Sequence, residues 1–262
     1  MKKKQIDEKE VIELALDAGH ILLENGAEIS RVEETIARIS RHYGVNSESE
    51  FVLSNGIFIT AGDDKDSFFA KVQHIPVSGT HLDKVVAVNH LSREIVQGKY
   101  TVKEARRELE RIKKETGKKK TALILASGIG SSAFCYLFGG SLEDTLAAFF
   151  VGVVLYCYLL FFCAKHLRKL MTNITGGIFL TILCGFLHWI GLGKHPEFMI
   201  IGSIMPLIPG YAFTNAIREI ADGDYISGSV RMLDALLIFI CIAIGVGLGV
   251  AFVKTMMGGA LL

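Results

Sequence analysis

Five long stretches in the second half of the chain carry almost no charge: Thr121 to Leu142, Thr145 to Ala164, Leu170 to Gly193, Phe198 to Ile217 and Ala235 to Val253. A lipid hydrocarbon core about 30 Å thick is crossed by a helix of roughly 20 apolar residues, and each stretch meets that length. Soluble helices that long show a polar face, and these show none. A break in composition at Lys118-Lys119-Lys120 separates them from a charged, mixed first half. The expectation is a membrane α-helical bundle of about five transmembrane helices over residues 118–262, behind an N-terminal cytoplasmic α/β domain over residues 1–117.

Orientation follows from the basic residues. Lys118 to Lys120 precede the first stretch, Lys165, Arg168 and Lys169 lie between the second and third, and Arg218 and Arg231 bracket the link between the fourth and fifth. The opposite loops hold Glu143, Asp144 and a single Lys194. Positive-inside bias then predicts a cytoplasmic N-terminus, with the tail from Lys254 to Leu262 outside. The net charge of +1 hides this asymmetry. Neither zinc-finger spacing nor a glycine-rich phosphate loop is present, so no nucleic-acid partner, metal or cofactor is expected, and the lysine run reads as a topology signal and lipid-surface anchor. Met1 to Glu10 is polar and does not read as a cleavable signal peptide. Cys135, Cys157, Cys163, Cys184 and Cys241 lie inside the stretches without CxxC spacing, as small membrane hydrophobes.

In the first half, Val11, Leu14, Ala15, Ala18 and Leu22 recur at helical spacing, as do Ile29, Val32, Ile36, Ile39 and Tyr43, with a turn at Asn25-Gly26 between the two helices. Asn55-Gly56 between Phe51-Val52-Leu53 and Ile57-Phe58-Ile59-Thr60 is a strong hairpin signal. A third strand is expected from Phe68 to Gln73, ending near Pro76. Thr80 would cap a helix from about His81 to Gln97 with Leu82, Val85, Val86 and Val96 inward. Thr101 with Glu104 forms a capping box for a last helix with Ala105, Leu109 and Ile112 inward. The order is two helices, three strands, two helices.

His74, His81 and His90 with Asp83 match no common ligand spacing and read as surface or cap residues. Ser78-Gly79-Thr80 lacks a nucleophile elbow and reads as a loop entering a helix. Glu28, Glu33 and Glu34 suit the opening turn of a helix through its dipole.

The membrane half carries sharper signals. Pro206, Pro209 and Gly210 predict a broken or kinked fourth span. Broken backbone at membrane depth is tolerated where it is covered by protein or lines a wet cavity, and transporters use it to hold hydrophilic substrates. Asn215 and Arg218 follow one and two turns on, offering an amide and a guanidinium suited to a carboxylate. A packing kink is the alternative. The link from Arg218 to Asp234 is short and dense in charge. Asp234 stands at the entrance of the fifth span, where an acid is costly unless paired or functional, and Arg231 three residues earlier is the expected partner. Ser127, Gly128, Gly130, Ser131 and Ser132, and Gly245, Gly247 and Gly249, read first as helix-packing faces and second as the lining of a path.

Several of these segments together resemble the threonine/serine exporter family: Gly26-Ala-Glu-Ile-Ser-Arg-Val-Glu-Glu34 behind an amphipathic helix, the Ser54-Asn55-Gly56 hairpin, Pro209-Gly210, Gly223-Asp224-Tyr-Ile-Ser227-Gly228-Ser-Val-Arg231, and Ala243-Ile-Gly-Val-Gly247. The resemblance covers nearly the whole chain. It implies a plasma-membrane subunit that exports small hydrophilic metabolites, threonine and serine or dicarboxylates such as succinate. It also implies a second, shorter membrane module, which for this chain means a separate small integral-membrane subunit or a homo-oligomer. Pro206, Pro209, Gly210, Asn215, Arg218, Ser227, Arg231 and Asp234 are then the substrate-binding candidates. Without an ATP-binding motif, the driving force is expected to be the membrane potential or a proton gradient, and Asp234 is the first proton-coupling candidate. The alternatives are a membrane-anchored hydrolase and a regulatory membrane protein, each acting through the N-terminal domain.

Overall fold

The computed structural model describes residues 8–45, 47–61, 69–75, 80–115, 119–163 and 167–257. Lys118, Lys165, Phe68, Pro76, Ser78, Gly79, Ala164 and the tail from Gly258 to Leu262 lie outside the described residues. The chain divides into two compact units, the first formed by Met1–Gly117 with Tyr211–Met232 and the second by Lys118–Gly210 with Leu233–Leu262.

The first unit opens with α1 (Glu8–Glu24) and α2 (Ile29–His42), followed by β1 (Ser47–Leu53), β2 (Gly56–Ala61) and β3 (Phe69–His74). The strands form an antiparallel sheet in the order β1-β2-β3. Two further helices, α3 (Leu82–Val96) and α4 (Val102–Lys114), complete the N-terminal part. α1 packs against α2, α3, α4 and β2 at once. It is consequently buried on several faces, including Ile12, Leu16 and Leu23 beside the stripe Val11, Leu14, Ala15, Ala18 and Leu22. Val52, Ile57 and Ile59 bury the sheet's inner face, while Phe51 and Phe58, a cross-strand pair, remain exposed on the other.

Three local expectations are corrected. The hairpin turn is Ser54-Asn55, with Gly56 already paired to Leu53, and neither Asn55 nor Gly56 has positive φ. The chain takes this turn where the Ser54 amide finds an acceptor elsewhere in the unit. The inward face of α3 is Val85, Val88, Leu91 and Ile95, whereas Leu82, Val86 and Val96 are exposed. Its apolar residues form two overlapping stripes, and packing against α1 and α2 selects one. His81, not Thr80, occupies the cap position of α3, without a side-chain cap bond. The Thr101–Glu104 capping box does form at α4.

The second unit begins with α5 (Lys120–Leu137), then α6 (Leu142–Tyr158), which continues as a π-helical turn over Leu159–Cys163, and α7 (Lys169–Trp189). α8 (Pro196–Ile204) runs into a 3₁₀ turn at Met205–Leu207. α9 (Gly210–Ala221), which belongs to the first unit from Tyr211 on, and α10 (Tyr225–Met257), which belongs to the second from Leu233 on, follow. Among the described residues four helices are long and apolar enough to cross a membrane, 120–137, 142–163, 169–189 and 225–256, and a fifth crossing is present if the pair Pro196–Leu207 and Gly210–Ala221 counts as one broken span. The chain is thus a helical membrane protein with a small three-stranded sheet.

The pair is bent by 62°, and prolines cause it. Ile208, ahead of Pro209, is extended at ψ 125°, as the ring of a following proline requires. The charge-dense link is helical rather than a loop: α9 continues to Ala221 and α10 starts at Tyr225, ten residues before the expected fifth span. Gly228 allows this, since a Cβ there would stand 2.9 Å from the Ile220 amide and 3.0 Å from the Ala216 carbonyl.

Small residues bring the membrane helices together. Ser127 Oγ donates to the Gly152 carbonyl at 2.9 Å, a Cβ on Gly202 would lie 2.6 Å from the Ser131 carbonyl, and one on Gly245 would lie 2.2 Å from the Ile174 carbonyl. Gly130 and Gly247 face open space. All five cysteines are free.

Candidate functional site

The motif segments of the first unit meet at the turn between α1 and α2. α1 ends in a Schellman motif, with the Gly26 amide bonded to the Leu23 carbonyl and the Ala27 amide to the Leu22 carbonyl. Gly26 sits at φ +87°, which a side chain would strain. The turn leaves the Gly26 and Ala27 carbonyls and the first amides of α2 to be satisfied from elsewhere.

α9 and α10 supply those partners. Asn215 Nδ2 donates to the Gly26 carbonyl at 3.2 Å, and Arg231 Nη2 to the Ala27 carbonyl at 3.0 Å. The first amide of α2, Ile29, donates to Glu219 Oε1 at 3.4 Å, and the helix dipole favours an acid there. The same oxygen lies 3.3 Å from Arg231 Nη1, with only 11% of the arginine side chain and 3% of the glutamate exposed. Among the described residues Glu219 Oε2 has no hydrogen-bond partner. At the rim, Arg218 pairs with Glu28. Ser227 Oγ accepts from the Ser54 amide at 3.2 Å, which ties the hairpin turn to α10. Of the eight residues singled out in the sequence, Asn215, Arg218 and Arg231 therefore gather around residues 26–28, and Ser227 meets the hairpin turn at Ser54, all within the first unit.

The other four belong to the second unit. Pro206 and Pro209 form the break between α8 and α9, and Gly210 is the first residue of α9. Asp234 pairs with Lys169 instead of Arg231, and both of these side chains are about half exposed. This corrects the expected Arg231–Asp234 pair: Arg231 is held by Glu219 and Ala27. Glu219 itself was missed in the sequence, because an acid in a charged link carries no local sign of its burial.

A second polar centre was also missed. Asp144 is fully buried, and its two oxygens are taken by five donors. Oδ1 accepts from the Lys194 amide at 2.6 Å and the His195 amide at 2.9 Å. Oδ2 accepts from the Ser141 amide at 2.8 Å and its hydroxyl at 2.7 Å, with His195 Nδ1 at 3.0 Å. Ser141 and Asp144 make a capping box, and their spacing is the same as that of Thr101 and Glu104. The arrangement fastens the loop before α8 to the start of α6.

His74 and His81 are exposed, and His90 pairs with Glu94 at 3.3 Å. Among the described residues no group of three metal-ligating side chains converges. A surface groove of about 470 Å³ is lined by Glu34, Ala37, Arg38, Arg41, His42 and Val96. None of the eight substrate-binding candidates lines it.

A family profile described as "Putative threonine/serine exporter" matches residues 13–253. The chain belongs to that family. It is 24% identical over 256 residues to the "Probable succinate transporter subunit YjjP" of Klebsiella aerogenes, covering 94% of this chain and 95% of that protein. It is 23% identical over 247 residues to the "Threonine/serine exporter" of Corynebacterium glutamicum, covering 92% of this chain and 50% of that protein. A "Pheromone-regulated membrane protein 10" of Debaryomyces hansenii is 27% identical over 231 residues, covering 86% of this chain and 23% of that protein. The chain therefore spans nearly all of the Klebsiella relative, half of the Corynebacterium one and under a quarter of the fungal one. No solved structure matches it.

Proposed function

We propose that this protein is one subunit of a secondary exporter of small carboxylate-bearing metabolites in the plasma membrane, with its N-terminus in the cytoplasm and a separate small membrane protein as partner. The observation that carries this reading is the family match, which runs through both units. It favours an exporter over an anchored hydrolase or a regulatory protein. The Klebsiella relative, matched over almost its full length, is named a subunit, which supports a two-protein assembly. The bent pair Pro196–Leu207 and Gly210–Ala221 supports a path, since interrupted helices at membrane depth belong beside protein or water. The basic residues around Arg168, Lys169, Arg218 and Arg231 support the cytoplasmic N-terminus. Arg218 and Arg231 are the groups offered to a solute carboxylate.

The test is uptake of labelled threonine, serine and succinate into inverted vesicles containing this chain, with and without a co-expressed short membrane partner, under an imposed proton gradient. Accumulation of one solute only with the partner is the expected result. No accumulation of any of the three in either case overturns the exporter reading for these solutes.

A further inference from the structure

Of the buried acids among the described residues, Asp144 and Glu219 differ in one respect that bears on proton chemistry. Asp144 has donors on both oxygens. Glu219 has them on Oε1 alone, so Oε2 is an acceptor already stripped of solvent and still open to a proton. Asp234, the acid marked by the sequence, is about half exposed and held by Lys169. Glu28 is paired with Arg218 at the rim.

We propose that Glu219 is the proton-binding residue of the transport cycle, and that its protonation frees Arg231 to hold the carboxylate of the exported solute. This rests on the exporter reading above. The proton adds to Oε2 from water, the ion pair with Arg231 is lost, and the guanidinium keeps its charge throughout. A buried guanidinium without a counter-ion is costly, and a solute carboxylate restores one. One proton and one carboxylate enter together, so the charge of the cluster is the same before and after. By linkage each promotes binding of the other.

The charged groups acting on Glu219 are Arg231 from α10, Asp224 from the turn between α9 and α10, and Glu28 from the turn before α2. Burial favours the neutral acid most, Arg231 and the Ile29 amide act against it, and the like charges of Asp224 and Glu28 add to it. The consequence is mechanical as well as chemical. Glu219 accepts from the first amide of α2, and Arg231 holds the Ala27 carbonyl. Loss of the pair therefore loosens residues 26–29.

Two measurements on the full chain in lipid nanodiscs and vesicles decide the proposal. The first is amide hydrogen exchange at Ala27 and Ile29, corrected for its intrinsic pH dependence. In the wild type, protection falls about tenfold or more between about pH 8 and about pH 5. Glu219→Gln is unprotected at both, Glu219→Asp retains the response, and Asp234→Asn behaves as the wild type. A wild-type response surviving in Glu219→Gln, or lost in Asp234→Asn, overturns the assignment. Retention in Glu219→Asp separates loss of the titrating group from misfolding.

The second is solute movement with succinate and threonine as probes. Glu219→Gln is expected to exchange labelled for unlabelled solute while losing its response to an imposed proton gradient. Gradient-driven accumulation in that variant overturns the coupling role. If the wild type moves neither probe, the exporter reading fails for those probes, and the exchange measurement still decides whether Glu219 titrates the cluster.

Discussion

Among the described residues, the two buried carboxylates stand in opposite chemical circumstances. Asp144 in the second unit has a donor on every side, four of the five within 2.6–2.9 Å. Glu219 in the first unit shares one oxygen between an amide at 3.4 Å and a guanidinium at 3.3 Å and leaves the other bare. A carboxylate with its acceptor capacity filled by fixed backbone donors is a fastener, because any other state breaks several hydrogen bonds at once. One that is half filled and balanced by a single arginine has a second state within reach.

The comparison is broken most directly at Asp144. Asp144→Ala strands five donors and is expected to cost about 3–5 kcal/mol of stability, read from thermal unfolding in detergent; a shift too small to resolve means that the loop before α8 does not depend on this acid. Next comes the pair in the first unit. Arg231→Met leaves Glu219 buried without its counter-ion and is expected to cost about 2–4 kcal/mol. The double variant Glu219→Leu with Arg231→Met should cost clearly less than the two single losses together, since removing both charges removes the desolvation cost of each and leaves only the Ile29 amide and the Ala27 carbonyl to be satisfied. Additive losses in the double variant would show that the two side chains do not act as a pair.

The smallest effect sharpens the contrast between buried and exposed. Glu104 repeats the capping box of Asp144 on the surface, at α4. The Thr101 amide, and after it the Thr101 hydroxyl, hold the Glu104 carboxyl below the usual glutamate range. A folded-state value below the unfolded one means that this contribution is fully present above the unfolded value and is lost as pH falls through the folded value. Thr101→Ala is expected to cost about 1 kcal/mol at neutral pH, and the difference from the wild type should shrink in acid below the glutamate range. A difference that does not change with pH would assign the effect to helix propensity alone.

Much of the architecture could be read from short windows. The apolar runs announce membrane helices, Pro206 and Pro209 announce the break, and the buried stripes of α1, α2 and α4 follow the helical period. The same reading could have found Ser141–Asp144, whose spacing is the one recognised at Thr101–Glu104. It was overlooked because an acid beside Glu143 in a short loop looks like an ordinary solvated charge. The choice between the two stripes of α3 was not available locally, since both have helical spacing and only contact with α1 and α2 separates them.

What composition and period settle is each segment's relation to its solvent, because burial in lipid, capping and helix breaking act over a few residues at a time. Which charge meets which other charge is settled only when the chain closes on itself. Glu219 reaches the amide of Ile29 across 190 positions, Arg231 reaches Ala27 across 204, and Lys169 takes Asp234 across 65. The strength of an ion pair depends on distance and burial in space, and neither is written in the order of the residues.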